Sequence, residues 1–157
     1  IEQNGLSSRI KTLNACIGPS KGTVSLSYIP GKSEYSSIDG IIHASTANEI
    51  KKTIDVDSFR LEDIVGDEKI ALIFMDVEGA EYLILESAKE LLLRDHPKIF
   101  CECDTSVLKK FGSNSSSLIA FLEKQGFEVK NARSYTSQLS KQFDGDIIAV
   151  HGTNRGK

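Results

Sequence analysis

The strongest constraint on the fold is an unbroken apolar segment that ends in acidic residues and leads directly into an amphipathic pattern. Ile70–Met75 reads Ile-Ala-Leu-Ile-Phe-Met, which is typical of a strand buried on both faces in a parallel sheet. It ends in the turn 76–79, Asp-Val-Glu-Gly. Between Ala80 and Arg94 the apolar residues recur every three or four positions, which predicts a helix with one buried stripe.

The rest of the chain alternates strand-like and helix-like segments. Strands are predicted at Arg9–Ile17, Gly22–Ile29, Ile50–Phe59, Pro97–Cys103, Phe127–Lys130 and Asp146–His151. Helical segments are predicted at Leu61–Val65 and Leu118–Gln125, the latter with cap candidates in Ser113–Ser117 and a stop at Gly126. Gly31–Asn48 reads as a long loop. This order predicts a three-layer α/β fold in which ligands bind outside the carboxyl ends of the strands.

The composition is that of a single globular domain and argues against several partners. The 157 residues include 22 acidic and 19 basic side chains, a mixed surface that argues against nucleic acid. No apolar segment approaches the roughly 20 residues of a membrane span. Three cysteines cannot all pair, and Cys101 and Cys103 are too close for an easy disulfide, which indicates a reducing, cytoplasmic location and buried packing rather than zinc binding.

Acidic residues are concentrated at the predicted ends of two neighbouring strands. Asp76 follows one apolar strand, and Glu102 and Asp104 end the next, so these carboxylates are expected to converge on one edge of the sheet. Helix capping by Asp76 and dipole interactions of Glu78 and Glu81 offer a purely structural explanation. Glu102 does not fit it, because an unpaired carboxylate in an apolar strand costs several kcal/mol unless it is paired, bound or at an open edge.

Several segments, in matching order, resemble the FkbM-type methyltransferases. The most specific is Phe74–Glu81, FMDVEGAE, which is followed by a Leu-rich helix and then by Ile99–Glu102. Weaker similarities are found at Arg9–Gly18, Gly22–Leu26, Ser36–Ile38, Leu61–Ile64 and Leu118–Val129. The resemblance implies a Rossmann-like, three-layer class I methyltransferase fold that transfers a methyl group from S-adenosylmethionine, usually to oxygen.

The sequence departs from the family pattern at its start. The glycine-rich first strand and the acid that holds the ribose would precede Ile1, so the resemblance implies that residues 1–157 form a single partial methyltransferase domain lacking the first strands of the sheet. A gap is then expected between the strands Arg9–Ile17 and Ile70–Met75. Asn14, Ala15 and Cys16, where the family's third strand ends, remain as candidates for binding the adenine edge of the cofactor.

The resemblance implies specific roles for the carboxylates. Asp76 is expected to act as general base or to orient the acceptor hydroxyl, with Glu78 and Glu102 in the same catalytic group. Glu102 and Asp104 are candidates to help Asp76 hold a divalent cation such as Mg²⁺, although no set of metal ligands is predicted. The expected acceptor is a small-molecule or glycan-type hydroxyl compound.

Other interpretations of the sequence remain open. A non-catalytic Rossmann-like scaffold or interaction domain is the main alternative, and a hydrolase that uses carboxylates and a metal is another. His43 in the predicted loop is a possible general base, but a solvated loop histidine is the simpler interpretation.

Overall fold

The structure is a computed structural model that describes residues 1–38, 48–137, 139 and 143–152, and its strands form two four-stranded sheets. The first sheet has the order β1-β4-β2-β3 and consists of β1 (Cys16–Ile17), β2 (Gly22–Ile29), β3 (Lys32–Ser37) and β4 (Lys52–Phe59). The second has the order β5-β6-β8-β7 and consists of β5 (Leu72–Met75), β6 (Lys98–Cys103), β7 (Phe127–Asn131) and β8 (Gly145–His151). The helices are α1 (Leu61–Val65), α2 (Glu81–Ser87), α3 (Lys89–Asp95), α4 (Thr105–Leu108) and α5 (Ser115–Lys124), with 3-10 turns at Glu2–Asn4 and Lys109–Phe111.

The main core lies on one face of the second sheet, against helices α2, α3 and α5. Alternate residues of the strands and the apolar stripes of these helices are fully buried there, among them Ile99, Cys101, Ile147, Leu85, Leu92, Leu118 and Leu122. Cys101 and Cys103 are free thiols buried in this core, as predicted, and burial raises the pKa of Cys103 to about 12. Burial therefore keeps both thiols protonated and unreactive.

The opposite face of the second sheet is uncovered at strand β5 in the part of the chain that the structure describes, while Phe100 and Ile148 of the neighbouring strands are half-buried. Leu72 is 57% exposed and Phe74 71% exposed, although both lie in the apolar run that predicted burial on both faces. The Phe74 ring stacks on Phe100 of the neighbouring strand, with ring centroids 5.0 Å apart. Strand β5 pairs in parallel with β6, and no other described strand pairs with it. The prediction of burial on both faces is thus wrong for this structure, because no described element covers the second face.

The first sheet differs from the sequence prediction in two places. Of the predicted strand Arg9–Ile17, only Cys16–Ile17 is a strand, because residues 9–14 are exposed and pair with no described strand. Part of the predicted loop Gly31–Asn48 is β3, which forms a hairpin with β2. The polar sequence of β3 lacks alternation because an edge strand is held mainly by backbone pairing.

The helix predicted at Ala80–Arg94 is divided into α2 and α3 at Ala88, where the backbone leaves helical geometry (φ −94°, ψ 18°). The N-cap of α2 is Ala80, without a side-chain hydrogen bond, so Asp76 does not cap this helix and the capping interpretation is wrong. Helix α5 is capped by the side chain of Asn114 and ends before Gly126 at φ 89°, where the sequence predicted its stop. No helix in the described ranges has the length and hydrophobicity needed to cross a membrane.

Candidate functional site

A cavity of about 510 Å³ lies between the first sheet and the turn that follows β5. Its described lining consists of Ala15, Cys16, Ile17, Leu26, Ser36, Ile38, Asp76, Val77, Glu78, Ala80 and Phe111. We call it the main cavity. Its walls are largely apolar, and its polar groups are one thiol, one hydroxyl and two carboxylates, a composition suited to a ligand that combines a flat apolar ring with polar substituents.

The main cavity brings together residues that are far apart in sequence. Ala15 and Cys16, predicted to bind the cofactor, line the same cavity as Asp76 and Glu78, predicted to be catalytic. Asn14, the third residue of that cofactor group, is exposed and is not part of the described lining. Burial raises the pKa of the Cys16 thiol, so this residue contributes a neutral thiol rather than a thiolate at neutral pH.

A smaller cavity of about 230 Å³ opens on the uncovered face of the second sheet. It is lined by Phe74, Met75, Asp76, Glu78, Phe100, Glu102 and Asp146. We call it the acidic cavity. All three predicted catalytic carboxylates line it, and Asp76 and Glu78 also line the main cavity. The turn after β5 therefore presents its carboxylates to two adjoining cavities.

Asp146 is a site residue that the sequence analysis did not identify. It lies directly opposite Glu102 in the antiparallel pairing of β6 and β8. The sequence contained one signal for this position, since Asp146 begins the last predicted strand. The first residue of an antiparallel strand lies beside the carboxyl end of its partner, which here is β6. Like charges directly opposite each other in a sheet are destabilising.

The electrostatic surroundings of Glu102 are strongly negative. Partial burial raises the pKa of Glu102, and the nearby carboxylates of Glu78, Glu81, Asp104 and Asp76 raise it further. Within the described ranges, neither Glu102 nor Asp146 forms an ion pair, and Lys110 is the cation paired with Glu78, at 4.0 Å. A site with this charge attracts cations and accepts hydrogen bonds from hydroxyl groups.

The turn that carries Asp76 and Glu78 has an unusual backbone. Glu78 has a positive φ of 54° and Gly79 a φ of 110°. A Cβ atom at Gly79 would lie 2.9 Å from the carbonyl carbon of Val107 and closer still to its oxygen, so only glycine fits here without movement. The Glu81 side chain, which the sequence analysis assigned to the helix dipole, is buried and accepts a hydrogen bond from the Val77 N–H at 3.2 Å.

The structure gives no support to a metal site. Asp104 caps helix α4, where its carboxylate accepts a hydrogen bond from the Ser106 N–H at 2.7 Å. The pKa of Asp104 is lowered, first by the Ser106 side chain and then by backbone hydrogen bonds. No group of three His, Cys, Asp or Glu side chains among the described residues is arranged to hold a metal ion. The donor set therefore does not fit a divalent cation, and we derive no chemistry from one. His43 lies outside the described residues.

The fold defines the class of protein as an α/β, Rossmann-like domain, with a group of carboxylates at the carboxyl edge of its second sheet. The sequence matches the family model described as "Methyltransferase FkbM domain" over residues 3–129. The chain therefore belongs to the FkbM methyltransferase family, as the resemblance of its motifs predicted.

Comparison with solved structures confirms the fold class. The chain resembles the crystal structure of the methyltransferase FkbM from Methylobacillus flagellatus KT, with 16% sequence identity and a TM-score of 0.53. The match covers 94% of this chain and 30% of that chain, so the present sequence spans less than a third of the length of the solved protein. A search of curated proteins found no match.

Proposed function

We propose that this chain is part of an S-adenosylmethionine-dependent methyltransferase that transfers a methyl group to a hydroxyl oxygen. The observation that carries the proposal is the main cavity, in which the family motif residues Asp76 and Glu78 line the same cavity as Ala15 and Cys16. The family assignment supplies the reaction class, and the cavity supplies a place where a cofactor and a carboxylate can meet.

The main cavity fits the adenosine part of this cofactor. Ile17, Leu26 and Val77 provide apolar walls for a purine ring, and the Asp76 and Glu78 carboxylates can accept hydrogen bonds from ribose hydroxyls. When bound, S-adenosylmethionine supplies a methyl group activated by a positively charged sulfur. The negative potential of the two cavities favours binding of that positive charge.

Asp76 is the residue best placed to act on the acceptor. It is exposed, directly follows a parallel strand and lines both cavities. Its carboxylate can accept the proton of an acceptor hydroxyl or hold that hydroxyl through a hydrogen bond. Glu78 and Glu102 line the acidic cavity beside it and offer further acceptors for the hydroxyl groups of a small molecule or glycan. The mixed charge of the sequence favours such an acceptor over nucleic acid. The free thiols favour a location in the reducing cytoplasm.

We also propose that residues 1–157 form part of one methyltransferase domain whose sheet is completed by further strands. Two observations support this: β5 has an unpaired edge among the described strands, and Leu72 and Phe74 are exposed on the uncovered face. The parallel part of this sheet is β5 and β6, and parallel strands are normally covered on both faces. The match to only 30% of the solved relative is in line with a longer domain.

The test is calorimetry with S-adenosylhomocysteine on two proteins: this chain, and a longer form that carries strands pairing with β5. We expect the longer form to bind and the 157-residue chain to bind very weakly. Micromolar affinity of the shorter chain would contradict the incomplete domain. Absence of binding by the longer form would favour the non-catalytic scaffold, which the uncovered sheet face also fits.

A further inference from the structure

We infer that Glu81 is a positioning residue that holds the turn 76–79 so that the Asp76 and Glu78 carboxylates face the two cavities. This inference rests on the proposed function, because it assigns a role in the reaction to a residue that does not line either described cavity. It goes beyond the family assignment, which says nothing about what fixes this turn.

The first observation is the burial of Glu81. Its side chain is 1% exposed, whereas carboxylates are rarely buried without a partner. Burial raises the pKa of Glu81, while hydrogen bonds from the backbone N–H groups of Glu81, Val77 and Gly79 act in the opposite direction. A buried carboxylate is costly unless such bonds compensate for its lost hydration. The bonds that compensate here come from the turn itself.

The second observation is the backbone of the turn that Glu81 contacts. Glu78 has a positive φ, a backbone conformation that residues other than glycine rarely adopt unless surrounding contacts enforce it. From outside, Gly79 packs against the Val107 carbonyl and Lys110 approaches Glu78. From inside, the Glu81 carboxylate binds the Val77 N–H, between Asp76 and Glu78. The tether thus acts at the residue that separates the two proposed functional carboxylates.

A role as a simple helix-dipole partner does not explain the position of Glu81. An exposed carboxylate in the first turn would serve the dipole without the cost of burial. Leucine at this buried position would remove that cost but would leave the Val77 N–H without its acceptor, so what the carboxylate adds beyond packing is its hydrogen bond to the turn. The presence of a buried carboxylate at position 81 is explained by the turn geometry that its hydrogen bonds fix.

The experiment compares Glu81→Gln, Glu81→Leu and the control Glu90→Leu, an exposed position on α3. Exchange of the Val77 amide hydrogen is measured on the full 157-residue chain. Turnover is measured on the longer form, with methyl-labelled S-adenosylmethionine and the first sugar glycoside or alcohol of a screened panel that the unsubstituted protein methylates. Thermal unfolding is recorded for every variant.

We expect Glu81→Gln to keep an acceptor oxygen, and with it the protection of the Val77 amide and most of the turnover. Glu81→Leu should lose that protection and lower kcat by about 10²-fold, the loss typical of misplaced reacting groups. It should also raise the KM for the cofactor, because Asp76 and Glu78 line the main cavity as well. Its melting temperature should fall moderately, because the Val77 N–H loses its acceptor, so turnover is measured below the unfolding range of every variant. Glu90→Leu should match the unsubstituted protein in exchange and turnover.

Two results would overturn the inference. One is a Val77 amide that stays protected from hydrogen exchange in Glu81→Leu, and the other is a loss of turnover in Glu81→Gln as large as that in Glu81→Leu. Failure of the proposed function has a different signature, in which the unsubstituted longer form neither binds S-adenosylhomocysteine nor methylates any acceptor. The exchange of the Val77 amide then still decides whether Glu81 holds the turn.

Discussion

At the scale of single residues, the turn after β5 is where structure and chemistry are most closely connected. Asp76 is exposed and caps no helix, and its carboxylate lines both cavities. A residue that contributes no cap and little packing can be substituted without much effect on the fold. Its contribution to activity can therefore be measured separately from its contribution to stability.

We predict that Asp76→Asn in the longer, active form lowers turnover by about 10²- to 10⁴-fold, the range expected when an acid–base group is lost. The melting temperature should change little, because the substitution keeps the size of an exposed side chain that forms no cap. Turnover and thermal unfolding are measured on the same preparation. Near-normal turnover of the variant would remove Asp76 from the proposed chemistry.

Glu102, unlike Asp76, is expected to lower the stability of the folded protein. It lies opposite Asp146 and near other carboxylates, and its pKa is raised, first by burial and then by their charge. A raised carboxyl pKa means that the folded state disfavours the ionised form. The resulting destabilisation is fully present above the folded pKa and disappears as the pH falls below the unfolded value.

We therefore predict that Glu102→Gln increases the free energy of unfolding at neutral pH and has no such effect in acid, below the unfolded carboxyl pKa. Urea unfolding across this pH range measures the difference. Ser8→Ala is a suitable control, since it removes an exposed hydroxyl that lines neither cavity and should give a stability change that does not depend on pH in this way. A neutral or destabilising Glu102→Gln at pH 7 would show that the repulsion is compensated by contacts elsewhere.

Residue-level prediction from sequence succeeded where a residue type is chemically out of place. Glu102 in an apolar strand and the acidic turn 76–79 both stood out, and the structure brings them to one cavity. Asp146 did not stand out, because its position depends on the pairing of β8 with β6, a contact between distant segments. The burial of Glu81 was also hidden, since a glutamate in a first helical turn is ordinarily exposed.

At the scale of secondary-structure elements, regular patterns predicted the structure well and edges did not. The strand β2 matches its predicted range, Gly22–Ile29, because apolar alternation reflects one face of an antiparallel pair. The edge strand β3 was missed because its polar sequence, Lys-Ser-Glu-Tyr-Ser-Ser, has no apolar alternation. The break at Ala88 was missed because the apolar stripe continues through both α2 and α3.

The contact between the turn 76–79 and the segment after β6 also belongs to this scale. Gly79 packs against the Val107 carbonyl of α4, so the two elements approach at backbone distance. We predict that Gly79→Ala destabilises the protein by about 1–3 kcal/mol or more, since it combines a positive φ with a steric overlap. Urea unfolding provides the measurement.

Gly112→Ala is the matched control for this substitution. Gly112 also has a positive φ, of 75°, but a Cβ atom there would meet nothing within 4 Å. The difference between the two variants therefore isolates the close approach of α4 from the backbone strain. Equal losses of stability would show that the backbone conformation alone accounts for the effect.

At the scale of the whole molecule, the uncovered face of the second sheet is the dominant feature. Leu72 and Phe74 lie on it beside the unpaired edge of β5, while the opposite face holds the main core. The sequence pattern predicted that β5 is buried on both faces. This chain does not show that burial, but a longer domain whose added strands complete the sheet, as we propose, would show it. The pattern then describes the environment of β5 in a longer domain.

This explanation makes a prediction that compares two proteins rather than two residues. The double substitution Leu72→Thr and Phe74→Thr should lower the free energy of unfolding of the 157-residue chain by no more than about 1.5 kcal/mol, chiefly through loss of the Phe74–Phe100 stacking. In a longer form whose added elements cover this face, the same pair should cost several kcal/mol, since deleting a single buried large side chain costs about 2–5 kcal/mol. Urea unfolding of the four proteins gives both values.

A control is needed because the longer form has a different reference stability. Leu93→Thr, on the partly exposed side of α3 and away from the uncovered face, should have the same small effect in both forms. If the double substitution is equally mild in both forms, the added segment does not cover β5, and the exposed face belongs to the finished protein. If it is severe only in the longer form, Leu72 and Phe74 are core residues of the complete domain, and the apolar run of β5 is buried there on both faces, as its sequence predicts.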